Sequence, residues 1–384
     1  MLRSPRVIIL VLLLLVFIGL VSSKFIRSSG GDPLSWKSEW PKTNFDKTSI
    51  NFSEILSGGP PKDGIQSIDK PSFVSFSNAD KWLKPNEPVV AIEINGEAKA
   101  YPIQVLIWHE IVNDELKGTP LTVTFCPLCN SSIVFDRRLE FNGKSYLFDF
   151  GTTGKLRNSD LVMYDRQTES WWQQFVGTAI VGDLTGAKLK VLLSFIISYA
   201  NFKESYPNGI VLSKKTGYMR NYGKNPYVRY DDINNTPFLL QNSPDRRLPP
   251  MERIVNVSLN GINKIYPFSA IQKEKVLHDT VGKTNLVIFH LPGTSSALDK
   301  ASIANSRDIG AATVFETMLD GKQLSFKRKD EVFVDEQTKS HWNITGKAIK
   351  GPLTGKQLTP IIHGNHFAFA WLAFIPDSLI YGKK

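Results

Sequence analysis

The sequence predicts an α+β fold, mainly β, built as two tandem copies of one β-rich unit. Three observations carry this. Two Asn-Gly pairs each join short alternating runs: Val90 to Pro102 reads VAIEINGEAKAYP and Val255 to Pro267 reads VNVSLNGINKIYP. Asn-Gly tolerates the positive φ of a two-residue hairpin turn, the strongest short-range hairpin signal. A second pair of blocks repeats an Asp-x-Gln-Thr-x-Ser-x-Trp motif, at Asp165 to Trp172 and at Asp335 to Trp342, each followed by a similar Gly-rich stretch. Self-similarity with the blocks in the same order is the signature of a repeated unit. Finally, strands outnumber helices, and the one clear helix follows a hairpin rather than joining parallel strands, which favours this class over a doubly wound sheet.

Read in order, Arg3 and Arg6 precede an uncharged run from Val7 to Val21. That pattern predicts a signal peptide or N-terminal membrane anchor over residues 1–25, with the rest of the chain extracytoplasmic. Residues 26–85 are rich in Ser, Gly, Pro, Asp and Lys and read as a polar tether, with one docked piece around Pro71 to Phe76. The first repeat spans 86–235: the Asn95-Gly96 hairpin, a helix over Ile103 to Val112, then strands at Leu121, Ile133, Tyr146 and Leu161. The second repeat spans 236–384. Leu121 to Phe125 aligns with Asn285 to Phe289, so Cys126 to Cys129 falls opposite His290 to Gly293, and the second copy lacks the thiols. The Asp, Gln, Thr and Trp of the repeated motif are read as structural, because they persist in that copy.

The net charge is +10 and the pI about 9.3, but the basic residues are dispersed, with no basic helix or arginine-rich arm. The expectation is no nucleic-acid partner, and a membrane contact through the N-terminal segment. Aromatic content of 11% excludes a disordered chain.

Chemistry concentrates in Phe125-Cys126-Pro127-Leu128-Cys129-Asn130, which holds the only two cysteines. The alternating run before it and Ile133-Val134-Phe135 after it read as strands. Pro127 cannot donate to a sheet ladder, so the pair sits in the turn between them, and Asn130 suits a positive φ there. Thiol redox pairs instead sit where a helix begins and lowers a thiol pKa. The turn therefore points to a metal site, with Cys126, Cys129 and His109 as ligands of a copper or zinc ion. Met163, Asp136, His290 or water are candidates for the fourth position. Two other classes stay open: thiol-disulfide exchange by the same pair, and a non-catalytic binding or scaffold module stapled by it. His363 and His366 form an HxxH pair, read either as a second metal site or as solvated loop residues. Gly151 to Leu156 lacks the spacing of a phosphate loop, and His109-Glu110 lacks the second His of a zinc protease helix.

Tyr101-Pro102, Trp108 to Asp114, Thr124 to Cys129 and Leu161 to Arg166, with Asn225-Pro226-Tyr227 and Leu248-Pro249-Pro250, resemble a prokaryotic family catalogued as a domain of unknown function. Its members are exported or membrane-anchored. The resemblance runs from about Pro88 to the C-terminus and implies an extracytoplasmic setting, without choosing a reaction. The chain departs from the pattern at Asn130, where Gly is expected, and at Lys155 and Arg157, where less charged residues are expected.

Overall fold

The computed structural model describes residues 31–383, so the expected leader over residues 1–25 lies outside the described residues. The protein is mainly β, with several antiparallel sheets and short helices. Among the described residues no helix is long and apolar enough to cross a membrane.

Both Asn-Gly pairs turn hairpins. Asn95 and Gly96 have φ of 50° and 83°, Asn260 and Gly261 of 53° and 76°, the mirror-image turn geometry that matches strand twist. The first hairpin, Pro88–Ile94 with Glu97–Pro102, lies inside a sheet flanked by Phe195–Ser198 on one side and Ile210–Leu212 on the other. The second, Arg253–Leu259 with Ile262–Pro267, is flanked in the same senses by His363–Phe367 and Leu379–Ile380. In each hairpin a buried tyrosine hydroxyl donates to an aspartate on a following strand: Tyr101 to Asp114 at 2.6 Å and Tyr266 to Asp279 at 2.8 Å.

The helix after the first hairpin is shorter than expected. It spans Ile103–His109 and ends where Glu110 takes a left-handed conformation (φ 59°), its amide donating to the Leu106 carbonyl. The β-branched Ile111 and Val112 then enter the strand Ile111–Leu116, where branching favours the pleated surface over the helix. That strand pairs with Thr119–Cys126, which pairs with Ser131–Asp136, the strand-turn-strand expected around the cysteines.

The register also corrects the alignment between the halves. The amide of Phe125 donates to the Glu110 carbonyl at 2.7 Å, and the amide of His290 donates to the Lys275 carbonyl at 3.1 Å. His290 thus sits where Phe125 does, and Leu291 where Cys126 does, one residue from the sequence match. In a strand a one-residue slip swaps faces.

The segment expected to be a polar tether is packed from Gly31 onward. Trp40 and Ile55 are 1% exposed and cluster with Trp171, Tyr164 and Val181. Leu56–Ser57 adds an edge strand beside Phe150–Arg157. A polar composition hid four aromatic anchors, Trp36, Trp40, Phe45 and Phe52, whose irregular spacing matches neither helix nor strand.

The two halves share cores. One cluster joins Phe125, Cys126 and Cys129 to Ile254, Ile265, Phe367 and Trp371, and another joins Val89 and Ala91 to Phe289 and Trp342. The amide of Phe367 donates to the Cys129 carbonyl at 3.0 Å, so the second half pins the cysteine turn.

Glu87, at the entry to the first hairpin, accepts from the Lys84 amide at 3.0 Å and from Gln104 of the helix at 2.8 Å. Burial pushes its carboxyl up to about 7, against the opposing pull of those two hydrogen bonds. A raised folded pKa means a contribution fully present below the unfolded value and lost as pH rises through about 7. Between about pH 5 and about pH 8, wild type should therefore lose on the order of 2 kcal/mol relative to Glu87→Gln, at about 1.4 kcal/mol per pKa unit. Urea unfolding of both proteins at the two pH values measures this; parallel profiles would refute it.

Candidate metal centre

The cysteine turn is built by its neighbours. Cys126 pairs with Ser131 as the last rung of the hairpin, and Asn130 has a φ of 49°, with its amide donating to the Pro127 carbonyl at 3.2 Å. Ser131–Asp136 is a strand, so no helix begins directly after the thiols. Both cysteines are free and buried. Burial pushes both thiols up, and Cys129 is raised further by Cys126 and Asp160. That is the reverse of the low-pKa thiol that disulfide exchange uses.

The third member of the group is Asp160. Donor atoms of Cys126, Cys129 and Asp160 all lie within 4.8 Å of one another, and all three residues are buried. Asp160 is placed by a two-residue turn, Asn158-Ser159, with φ of 51° and 67°, that folds Asp160–Asp165 back on Phe150–Arg157. Its Oδ2 accepts from Gln173 Nε2 at 2.6 Å and from the Phe175 amide at 2.9 Å. Its Oδ1 has no N–H or O–H partner, although it is buried. Burial pushes this carboxyl up to about 7, despite the Gln173 and Phe175 hydrogen bonds. A buried carboxylate oxygen left open beside two thiols is a donor set for a soft or borderline cation.

His109 does not join them. Its Nδ1 lies 2.7 Å from the Gln66 carbonyl oxygen, which only accepts, so Nδ1 carries the proton. Its Nε2, 2.7 Å from the Tyr222 hydroxyl, is then the acceptor. Both ring nitrogens are committed, and burial lowers the imidazole pKa. The ring fastens the segment around Tyr222, whose hydroxyl also meets Thr216 at 2.6 Å. The other candidates are engaged elsewhere. Asp136 pairs with Arg138, and His290 lies 3.3 Å from the Ile309 carbonyl oxygen. Met163 is buried in a strand, within the same apolar cluster as the two cysteines. His363 and His366 lie on a strand, not in a solvated loop.

Asp160 escaped the sequence reading, yet a signal was there: an Asn-Ser turn followed by an acid heading the apolar run Leu161-Val162-Met163-Tyr164. A charge opening a fully buried strand needs a reason.

A family model described as "Protein of unknown function (DUF3179)" matches residues 62–378. The chain belongs to the DUF3179 family. No curated protein and no solved structure matches it. In this DUF3179 protein the matched region contains the cysteine turn, Asp160 and most of the wall of the pocket beside them, to which Gly58 and Pro60 also contribute.

That pocket has a volume of about 310 Å³, and Leu128 of the turn and Leu161 of the neighbouring strand form part of its wall. Lys155 also lines it. Its ammonium lies 3.7 Å from Glu39 and 5.3 to 5.7 Å from the rings of Trp36, Trp40 and Trp171. The packed N-terminal segment therefore supplies three of the four partners of this lysine, Glu39, Trp36 and Trp40.

Proposed function

We propose that this protein is an extracytoplasmic, membrane-associated metal-binding protein that holds one transition-metal ion through Cys126, Cys129 and Asp160. The observation that carries the reading is the open, buried Asp160 Oδ1 within 4.8 Å reach of two free thiols. Two thiolates and a carboxylate suit zinc better than copper, which favours additional imidazole or thioether donors. Three protein donors leave one position of a tetrahedral ion for water or a ligand. The basic and apolar N-terminal sequence supports export and anchoring, and an oxidising compartment favours thiols that are liganded over thiols left bare.

We also propose that residues 86–235 and 236–384 descend from one duplicated unit. The paired hairpins, the paired Tyr-Asp bonds and the paired Asp-Trp motifs support it. In this reading the first copy kept the donor set and the second became a scaffold that closes over it.

Metal analysis of anaerobically purified protein tests the site. Wild type and His109→Ala should each carry about one ion per chain, whereas Cys126→Ser and Asp160→Ala should carry close to none. Wild type without stoichiometric metal would sink the proposal. Loss in His109→Ala with retention in Asp160→Ala would replace the ligand set.

A further inference from the structure

The pocket wall holds one charge-bearing group with no counterpart. Glu110 lines the pocket and is 8% exposed. Its backbone is fixed at both ends, the amide on the Leu106 carbonyl and the carbonyl on the Phe125 amide, each at 2.7 Å. Its carboxyl makes no hydrogen bond to any described side chain or amide. It stands near the Tyr227 phenol, whose pKa is raised by burial first and by Glu110 second. The only cation in the wall, Lys155, is already committed to Glu39 and three indole rings. The rest of the wall is apolar or aromatic, with Ile65, Leu128, Leu156, Tyr227, Tyr230 and Phe238. A buried acid without a partner costs free energy unless something meets it.

We infer that this pocket binds a small organic amine, with the ammonium head on the Glu110 carboxylate and an apolar body against Leu128, Leu156 and the three aromatic rings. A volume of about 310 Å³ suits a small ligand, since pockets for drug-sized molecules run from about 300 to 1,000 Å³. Ammonium groups are attracted to tyrosine and phenylalanine rings as well as to carboxylates. Burial, with Asp160 as the smaller cause, pushes the Glu110 carboxyl up to about 8 in the empty pocket. A bound ammonium would restore the ionised form. Cys126, Cys129 and Asp160 are not among the lining residues, so the pocket adjoins the metal centre through Leu128 and Glu110 without including its donors. Its counterpart position in the second half is Lys275, also in a left-handed conformation (φ 65°). The shared backbone geometry is structural, and the acid is peculiar to the first half.

Calorimetric titration of the full chain with hexylamine, hexanol and hexanoate tests this. Hexylamine should bind about tenfold or more tightly than hexanol, which corresponds to one charge-assisted contact, and hexanoate should bind weakest. Glu110→Gln should bring hexylamine down to the affinity of hexanol. Phe238→Ala, at a half-exposed loop ring, should weaken hexylamine and hexanol together. Equal affinity for the three probes, no binding of hexylamine, or an amine preference that survives Glu110→Gln would each overturn the inference. The metal content of the same sample separates the two proposals. Amine selectivity without metal removes only the metal site, and metal without amine selectivity removes only this pocket.

Discussion

Trp342→Ala is expected to lower the unfolding free energy by about 3–5 kcal/mol, as for other buried aromatics, and to leave metal content unchanged. The indole is fully buried, with its ring 5.8 Å from Phe326 in an edge-on contact. Its Nε1 donates to Asp335 Oδ2 at 3.0 Å, and that carboxylate also accepts from the Thr338 hydroxyl at 2.9 Å and the Ser340 amide at 3.0 Å. Removing the ring therefore opens a cavity and takes one donor from a buried carboxylate, two costs that add. Trp172 makes the matching bond to Asp165 Oδ2 at 2.9 Å, but its ring packs on Phe148 and Phe150 in the cluster that holds the cysteines. Trp342 belongs to a different cluster, which is why its loss should spare the metal centre. Urea unfolding followed by circular dichroism, with metal analysis on the same variant, measures both parts. A cost below about 1 kcal/mol would mean the indole is not a packing element.

What the sequence made legible was local. The Asn-Gly hairpins, the strand-turn-strand around Cys126 and Cys129, and the positive φ at Asn130 each depend on a few adjacent residues whose steric preferences dominate. The buried role of Trp172 and Trp342 was legible because the motif around each indole repeats its own hydrogen-bond partners. The donor set was legible only in part. The Asn158-Ser159 turn that opens the Asp160 strand is local, but its placement beside the thiols is tertiary, and no local pattern encodes that placement. His109 is close to Cys126 in sequence, but Glu110 ends the helix early and the ring finds Gln66 and Tyr222, partners far along the chain. The alignment of the halves slipped by one residue at the fourth strand because Phe125 and Phe289 look alike while their amides have different partners. The N-terminal segment misled for a compositional reason: its charge and glycine content are those of a linker, and the aromatic rings that dock it, Phe73, Phe76 and Trp82 among them, are a small fraction of its residues.

Asp231→Ala should also cost about 3–5 kcal/mol at neutral pH, the range for removing one partner of a buried ion pair, and it should loosen the pocket. Asp231 sits in the long irregular stretch between Ser213 and Pro250 that carries Tyr227 and Tyr230. Its fully buried carboxylate meets Arg253 at 2.7 Å, Arg307 at 2.7 Å and the Ser296 hydroxyl at 2.5 Å. Backbone bonds from Asn225 to Ala301 and from Tyr230 to Leu298 run beside it. Without the carboxylate the Arg253 guanidinium, 9% exposed, stays buried against Ser296 and the Phe367 ring and faces the like charge of Arg307. Burial pushes the Asp231 carboxyl up, but Arg253, Ser296 and Arg307 together outweigh it and hold the pKa below the ordinary value. A depressed folded pKa gives stability that is present above the unfolded value and lost as pH falls through the folded one. The gap between wild type and Asp231→Ala should therefore be full near pH 7 and narrow in strong acid. Urea unfolding at several pH values reads this, and hexylamine titration reads the loosened tyrosines. Asp231→Leu combined with Arg253→Met should recover much of the lost stability, because most of the cost is the unpaired charge rather than the pair itself. Were the double variant as unstable as Asp231→Ala, the cost would lie in the packing of the loop and not in its electrostatics.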